Sequence, residues 1–217
     1  DLQEVWEDNS AAERELFLSF ILSCDMCFET TPGKKDEILP FAERSFIFPQ
    51  LLPPDPHKTL GMLWEQQKEV LYLRYQHRFL HYGVIQSFIV KTQALVEVVE
   101  DCVWRTGILL KNGEQMVQVE ASDREILVRI TPQSLPLLHK VRNLLEKLQD
   151  SPGEESVSAD GKNFVSLKKL EEKQHKPEIE AENGVDVPVA PLLLFLKKKE
   201  KLVFEPFDLE ENAQEGT

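Results

Sequence analysis

The stretch that decides the fold is Val103–Ile130, which reads VWRTGILLKNGEQMVQVEASDREILVRI. Apolar and polar residues alternate along three segments of it, as they do in strands whose two faces meet different surroundings. Two short polar breaks, Asn112-Gly113 and Ser122-Asp123, separate the segments. Asn-Gly favours a two-residue type I′ turn, because both central residues of that turn need positive φ. The stretch therefore predicts a three-stranded antiparallel meander.

The two turns together predict a register for the meander. With a two-residue loop at each break, Val117 pairs with Ile108 on one side and with Val128 on the other. One face of the sheet then carries only apolar residues: Trp104, Ile108, Val117, Val119, Ile126 and Val128. The other face carries a mixture of residue types: Arg105, Leu109, Met116, Gln118, Glu120, Leu127 and Arg129. Because a slip of one residue would exchange the two faces, the apolar face is predicted to face the core.

Further elements flank the meander on both sides. A strand at 70–75 and an amphipathic helix at 82–99 precede it, and a helix from Pro132 or Gln133 to Gln149 follows. The order β-α-β-β-β-α predicts a mostly antiparallel four-stranded sheet with both helices on its apolar face. The fold class expected for this region is therefore α+β, in two layers.

The start of the chain predicts a helix and a hairpin. Ser10 followed by Glu13 matches a capping box, so a helix is expected to run from there to Cys24 or Cys27. Its apolar stripe consists of Leu16, Phe17, Phe20, Ile21 and Cys24. Segments 26–30 and 38–41 predict a β-hairpin, and a further short strand is expected at 46–49. A helix followed by such a hairpin is typical of the end of a winged-helix domain.

Composition divides the chain into four parts. The proline-rich run Leu51–Pro56 breaks the pattern, and Ser151–Ser156 has the composition of a linker. Beyond that linker we expect a short strand or turn at 163–166 and a helical turn at 167–174. The apolar run at 185–196 is expected to pack as an extended segment. The predicted parts are a winged-helix-like part at 1–53, the α+β unit at 54–150, an accessory segment at 151–204 and a disordered acidic tail at 205–217.

Charge and cysteine content narrow the functional classes. The formal net charge is −13, which disfavours binding to nucleic acid or to an anionic membrane surface through phosphate contacts. Three cysteines, an odd number, and no export signal favour free thiols in a reducing compartment. No apolar run reaches the roughly 18 residues of a membrane span. A cytoplasmic location is therefore expected.

Residues that could carry chemistry are few. Cys24 and Cys27 have zinc-knuckle spacing, but a structural zinc needs four ligands and no second pair follows, so core positions are expected. His77 and His81 lack a third ligand and are expected at the surface or in an interface. None of the common phosphate-binding or catalytic motifs is present. We expect no catalytic, cofactor-binding or metal-binding residue and no enzyme activity in this chain.

Three stretches carry a family resemblance. They are Phe48–Pro53 (FPQLLP), Arg74–Val90 (RYQHRFLHYGVIQSFIV) and Val103–Leu110 (VWRTGILL). In this order they resemble the COR domain (C-terminal of Roc) of Roco proteins, which include leucine-rich-repeat kinases and bacterial relatives. The resemblance covers about residues 46–149, the second COR half, and makes 8–53 the last helix and wing of the first half. The stretch from Ser151 onward has no counterpart in it.

The resemblance implies a regulatory mechanism without chemistry. In that family the COR domain joins a GTPase to its downstream partner and provides the dimer contact. It implies a homodimer, an adjacent Roc GTPase that alone would bind GTP or GDP, and a signalling role for this chain.

The residue pattern supplies candidates for a protein interface. The mixed sheet face has the composition of an interface and carries Arg105, Leu109, Met116, Leu127 and Arg129. The alternative is that this face is an ordinary solvated one, or that the apolar run 185–196 covers it. His77, Arg78, Phe79 and His81 form an aromatic-rich rim where the first strand gives way to the helix.

Two alternatives remain open. One is a stand-alone adaptor or scaffold whose acidic tail recruits a basic partner. The other is a winged-helix DNA-binding protein, although Asp36 and Glu37 directly follow the basic residues Lys34 and Lys35 of the predicted wing.

Overall fold

The computed structural model of the protein describes residues 10–29, 45–81, 83–92, 97–149 and 153–196. The α-helices in these ranges are α1 Ala11–Ser23, α2 Lys58–Glu65, α3 Gly83–Thr92, α4 Leu135–Leu148 and α5 Leu167–Lys173. Short 3-10 helices occupy Pro49–Leu51, Pro132–Ser134 and Ala190–Leu196. The strands are β1 Phe28–Glu29, β2 Phe46–Ile47, β3 Leu71–Gln76, β4 Glu97–Trp104, β5 Gly107–Asn112, β6 Gln115–Ala121, β7 Glu125–Ile130, β8 Glu154–Ser158, β9 Val165–Ser166, β10 Glu178–Glu180 and β11 Asp186–Pro188.

A seven-stranded antiparallel sheet organises the molecule. Its strand order is β4-β5-β6-β7-β3-β8-β9, and two small two-stranded sheets, β1-β2 and β10-β11, accompany it. Helices and a mostly antiparallel sheet confirm the α+β class. The sheet has three more strands than the four expected, because β4, β8 and β9 extend it at both edges.

The predicted register of the meander is wrong by two residues at both turns. Ile108 pairs with Val119, and Val119 pairs with Val128. The loops are Gly113-Glu114 and Asp123-Arg124, each one residue further along than expected. Gly113, the first central residue of the loop, has φ +59°. Among the described non-glycine residues only Asp25 has positive φ, so Glu114, the second central residue, lacks the positive φ that a type I′ turn needs. That pattern matches a type II′ turn, whose first central residue is glycine.

A shift of two residues keeps each side chain on its expected face, because side-chain direction in a strand has a period of two. Trp104 is the exception. The predicted helix 82–99 ends at Thr92, and β4 then runs to Trp104 and turns through Arg105-Thr106 into β5. Trp104 therefore lies on a different strand from Ile108 and packs with the residues of the opposite face.

The main core lies between one sheet face and the helices α3, α4 and α5. Residues with no exposed surface, such as Leu73, Val117 and Val128, line the sheet side, and Phe88, Ile89 and Leu145 close it from the helices. The 3-10 helix Ala190–Leu196 extends this core with Leu192 and Phe195. The apolar run 185–196 is therefore packed as expected, but it forms β11 followed by a 3-10 helix rather than one extended segment.

The first described elements pack onto this unit. α1 begins with the predicted capping box, in which Glu13 N–H donates to Ser10 Oγ and Glu13 Oε2 accepts from Ser10 N–H. Its predicted stripe is correct only at Ile21, which is buried together with Leu18. The other four residues of the stripe are exposed: Leu16, Phe17, Phe20 and Cys24. The strand β1 pairs with β2, and the expected hairpin strand 38–41 lies outside the described residues.

The segment after the expected linker belongs to the large sheet. Glu154–Ser158 forms β8, which pairs along most of β3, so the linker assignment of 151–156 is wrong for its second half. Val165–Ser166 and Leu167–Lys173 confirm the expected short strand and helical turn. The predicted acidic tail 205–217 lies outside the described residues.

Candidate interaction surface

The mixed sheet face is covered rather than open. The helix α2 lies across it, and Leu60 and Trp64 pack against Leu109, Met116 and Trp104. Leu109 is 0% exposed and Met116 is 4% exposed. The expectation that these two residues are available at the surface is therefore wrong, because a helix that the sequence analysis did not predict occupies the space.

The arginines of the same face make contacts within the chain. The Arg129 guanidinium lies 4.3 Å from the centre of the Trp64 ring and 5.7 Å from that of Tyr72. Burial lowers the pKa of Arg129, and the two aromatic faces supply the electrostatic attraction that a desolvated guanidinium needs. Leu127, beside it on β7, is half-buried.

The side chain and backbone of Arg105 hold the proline-rich segment. Arg105 Nε–H donates to the carbonyl of Leu52 at 3.3 Å, and Arg105 N–H donates to the carbonyl of Pro53 at 2.9 Å. Gln86 Nε2 in turn donates to the Arg105 carbonyl at 3.3 Å. An interface role stays a prediction for all five residues of this face: Arg105, Leu109, Met116, Leu127 and Arg129. In this conformation only Arg105, Leu127 and Arg129 are partly exposed and so available to a partner.

The segment 77–81 places its residues differently. Arg78 and His81 are exposed, and Phe79, at 78% exposure, is one of the most exposed large apolar residues in the described chain. His77 is buried at 8% exposure, which corrects the expectation that it lies at the surface. The rim therefore presents an aromatic ring flanked by two polar side chains, above a buried imidazole.

Behind this rim lies a cavity of about 940 Å³. Its apolar wall comes from Phe79, Leu80, Val84 and Leu148, and its polar groups come from the residues Gln76, His77, Arg78, His81, Ser87, Arg124, Gln149 and Glu154. Arg78 and Arg124 approach it from different loops, β3–α3 and β6–β7, which the antiparallel pairing of β3 with β7 places side by side.

Close packing fixes the imidazole of His77. His77 N–H donates to the Arg124 carbonyl at 2.7 Å, which ties the two loops together. A methyl group at Gly153 would lie 2.7 Å from His77 Nε2, so only glycine fits against the ring. Burial lowers the pKa of His77, and its Nε2 is a buried nitrogen to which the described residues offer no hydrogen bond.

His81 has a local structural role. Its Nδ1 accepts a hydrogen bond from Gly83 N–H at 3.1 Å, so the ring caps the start of α3. Among the described residues, no cluster of three or more His, Cys, Asp or Glu side chains is arranged to hold a metal ion.

The cysteines follow the prediction in part. Cys27 is buried, and its burial raises the pKa of the thiol, whereas Cys24 is exposed at the end of α1. The expectation that Cys24 is a core residue is wrong for the same reason as the stripe, because α1 turns a different face inward. None of the three cysteines, all of which lie in the described part of the chain, forms a disulfide.

Several residues of these surfaces were missed from the sequence. Leu60, Leu63 and Trp64 have the i, i+3, i+4 spacing of an amphipathic helix, and His57 accepts from Thr59 N–H as an N-cap. That signal was available, but it directly follows the proline-rich run Leu51–Pro56, at which the pattern was expected to break. Arg124 and Glu154 reach the cavity through strand pairing between distant segments, which sequence pattern alone does not reveal.

Comparison with protein families gives a match over much of the described chain. The family model described as "C-terminal of Roc, COR-B domain" matches residues 68–195, well over half of the chain. The chain belongs to the COR-B family. The match continues to the end of the described residues, so the segment after Ser151 does have a family counterpart, contrary to the expectation from the resemblance.

A curated relative places the COR-B unit among Roc-COR proteins. It is the Roc-COR-CHAT protease of Runella zeae, 25% identical over 155 residues that make up 69% of this chain. The alignment spans 15% of that relative's length. The chain is thus a Roco-type module comparable to a small part of a long multidomain protein.

Membrane insertion through a helix has no support in the described residues. None of the helices there has both the length and the apolar composition that crossing a bilayer requires.

Proposed function

We propose that this chain is a non-catalytic regulatory and dimerisation module, coupled to a Roc-type GTPase in a multidomain, cytoplasmic Roco protein that signals through protein–protein interactions. GTP and GDP bind only to the adjacent Roc domain. In this proposal α1 and β1 are the end of a winged-helix first COR half. The main observation in favour of this proposal is that these first elements contact the COR-B unit directly, so they are not connected to it only through a flexible linker.

Three contacts make that connection. Lys91 Nζ of α3 lies 2.6 Å from Asp25 Oδ2, at the turn after α1. Phe28 of β1 is part of the main core. Arg105 holds the carbonyls of Leu52 and Pro53, as described above. A displacement of the first elements would therefore be passed to α3 and to the β4–β5 turn, because packed elements move as units.

Self-association is proposed to use the rim at 77–81. Phe79 is exposed there, and a large aromatic residue beside arginine is the composition that interface hot spots favour. The covered sheet face does not offer comparable surface. An interface of ordinary size would bury about 800 Å² on each partner.

The test is sedimentation velocity on the full chain from low micromolar to about 100 μM. We expect a reversible dimer whose dissociation constant rises at least about tenfold in Phe79→Glu, because a charge would replace the central apolar contact. Met62→Glu is the matched control, since Met62 is similarly exposed but lies on α2. A chain that stays monomeric at all concentrations contradicts self-association, and a dimer insensitive to Phe79→Glu moves the contact elsewhere.

Coupling to the GTPase is tested in the longer protein. We expect the dimer constant measured with GDP and with a non-hydrolysable GTP analogue to differ in the wild type. Lys91→Glu, which opposes two acidic groups at the Asp25 contact, should reduce that difference. Equal constants for both nucleotides in the wild type would contradict coupling.

A further inference from the structure

We propose that the cavity behind the 77–81 rim is a docking site for a segment of this same chain, residues 202–211. These residues lie outside the described ranges, and only their sequence enters here: Leu202-Val203-Phe204-Glu205-Pro206-Phe207-Asp208-Leu209-Glu210-Glu211. Docking is an internal contact that covers the rim. The inference rests on the proposed function in one respect only: if the rim is the dimer contact, the segment competes with a second copy of the chain for it.

Chemical complementarity is the first argument. The cavity combines an apolar wall of Leu80, Val84 and Leu148 with the exposed guanidinium groups of Arg78 and Arg124. Segment 202–211 combines bulky apolar residues, including two phenylalanines, with four acidic residues and no basic residue. A volume of about 940 Å³ exceeds what a single small anion fills and is in the range of cavities that hold several side chains.

The order of charges along the chain is the second argument. Beside the cavity lies a smaller depression of about 360 Å³, which shares Gln76 and Glu154 with it. Among its described lining residues, the other carboxylates are Glu155 and Glu182, and Lys168 is the one cation. Residues 197–201 read KKKEK, so a basic stretch comes directly before the acidic one. An acidic depression beside a basic cavity matches this order of charges.

Not all of those carboxylates are available for a new partner. Glu155 is paired with Arg142 at 2.6 Å and Glu182 with Arg74, so Glu154 is the main acidic group open to the lysines. The basic stretch therefore contributes less than the contact of the acidic segment with Arg78 and Arg124.

Reach is the third argument. The last described element, the 3-10 helix Ala190–Leu196, contacts β8, and β8 begins at Glu154 on the cavity wall. A five-residue strand is about 17 Å long. The five residues between Leu196 and Leu202 can span about 20 Å when extended. The tether is therefore about as long as β8, the strand that contacts the 3-10 helix and begins at the cavity wall.

The test uses the full chain with the photo-cross-linking residue benzoylphenylalanine (Bpa) as Phe207→Bpa. At 1 μM, where association between copies is minor, we expect cross-links within one chain to peptides containing 76–84 or 148–154. Gln214→Bpa, in the same tail but beyond the segment, is the control and should give at least about tenfold fewer such cross-links.

Charge variants test the mode of binding. Arg78→Glu with Arg124→Glu should lower the Phe207→Bpa yield by about tenfold, since two ion pairs become repulsions. Lys58→Glu with Lys140→Glu makes the same change in net charge at exposed positions outside the cavity and should leave the yield unchanged. Glu205→Arg with Asp208→Arg should restore the yield in the first variant, and should lower it in the second, where Arg78 and Arg124 are still present. Far-ultraviolet circular dichroism checks that each variant is folded.

Three results would overturn the proposal. They are cross-links from position 207 spread over many surfaces, a yield indifferent to Arg78 and Arg124, and cross-links that join two chains and rise with concentration. The last result would assign the cavity to a second copy. Because the expected cross-link is within one chain at 1 μM, it can be present in a chain that never dimerises, so failure of this inference is distinguishable from failure of the proposed function.

Discussion

The two faces of the seven-stranded sheet are closed in different ways. One face is uniformly apolar and meets α3, α4 and α5 across an extensive core. The other meets the eight-residue helix α2, and charged or polar residues such as Arg129, Gln118 and Glu120 take part in its cover. Alternation along a strand thus shows that the two faces of the sheet have different surroundings. It does not show whether the mixed face is open to solvent or covered by a helix whose tryptophan stacks on an arginine.

The largest expected effect contrasts neighbouring residues of β7. Val128 is fully buried on the apolar face, whereas Leu127 is half-buried on the other. Val128→Asp should lower the free energy of unfolding by about 4 kcal/mol or more, because it buries a carboxylate among groups that cannot pair with it. Leu127→Asp should cost about 1–2 kcal/mol, since solvent and Arg129 remain within reach. Urea denaturation of both variants measures the difference.

Equal losses for Val128→Asp and Leu127→Asp would show that the two faces are equally intolerant of charge. The contrast between a large core and a mixed cover would then be wrong. A loss confined to Val128→Asp supports it.

The second prediction concerns the cover itself. Trp64→Ala removes a ring that is 3% exposed and lies under Arg129. We expect a loss of about 2–3 kcal/mol, at or below the usual range for a core tryptophan, because a two-turn helix can detach locally and so limit the cost. Hydrogen exchange should show faster exchange in α2 while α4 stays protected.

Met62→Ala is the control for this variant, since Met62 is 62% exposed on the same helix, and its effect should stay within about 0.5 kcal/mol. If Trp64→Ala instead speeds exchange equally in α2 and α4, the cover is not a separate unit.

The sequence predicts the apolar face of the sheet better than the covered one. The alternation in 103–130 correctly assigns Ile108, Val117 and Val128 to the main core, and a register wrong by two residues leaves that assignment intact because the side-chain period is two. The error arises from which residue of Asn112-Gly113 opens the turn, a local choice between turn types with the same strand pattern.

Long-range contacts explain the remaining errors. β8 carries little periodic signal and becomes visible only through its partner, β3. The sequence of α2 does carry a helical signal, but its position over the Arg129 face depends on packing between distant segments. The helix prediction for 82–99 continued past Thr92 because Leu95, Val96 and Val99 fit a helical stripe, although β-branched residues also favour strands. The cavity combines Arg78, Arg124 and Gly153 from three segments, so no single stretch of sequence predicts it.

The smallest expected effect concerns Glu120, a carboxylate on the covered face. Burial raises its pKa, while a hydrogen bond from Gln118 Nε2 at 3.2 Å opposes the rise. The folded protein therefore holds this proton more tightly than the unfolded chain does. The stability contributed by the protonated form is fully present below the unfolded pKa of 4.5 and is lost as the pH rises through the folded value.

Glu120→Gln, which stays neutral, should therefore match the wild type in stability near pH 4 and exceed it at pH 7. The gain should stay below about 1 kcal/mol, because the half-exposed carboxylate of the wild type remains partly solvated. Urea denaturation at both pH values measures it, with Glu114→Gln in the exposed β5–β6 loop as the control that removes one carboxylate outside this face. A variant less stable than the wild type at pH 7 would mean that the ionised carboxylate is favourably bound on this face, and that the α2 side of the sheet tolerates charge by pairing it rather than by leaving it near solvent.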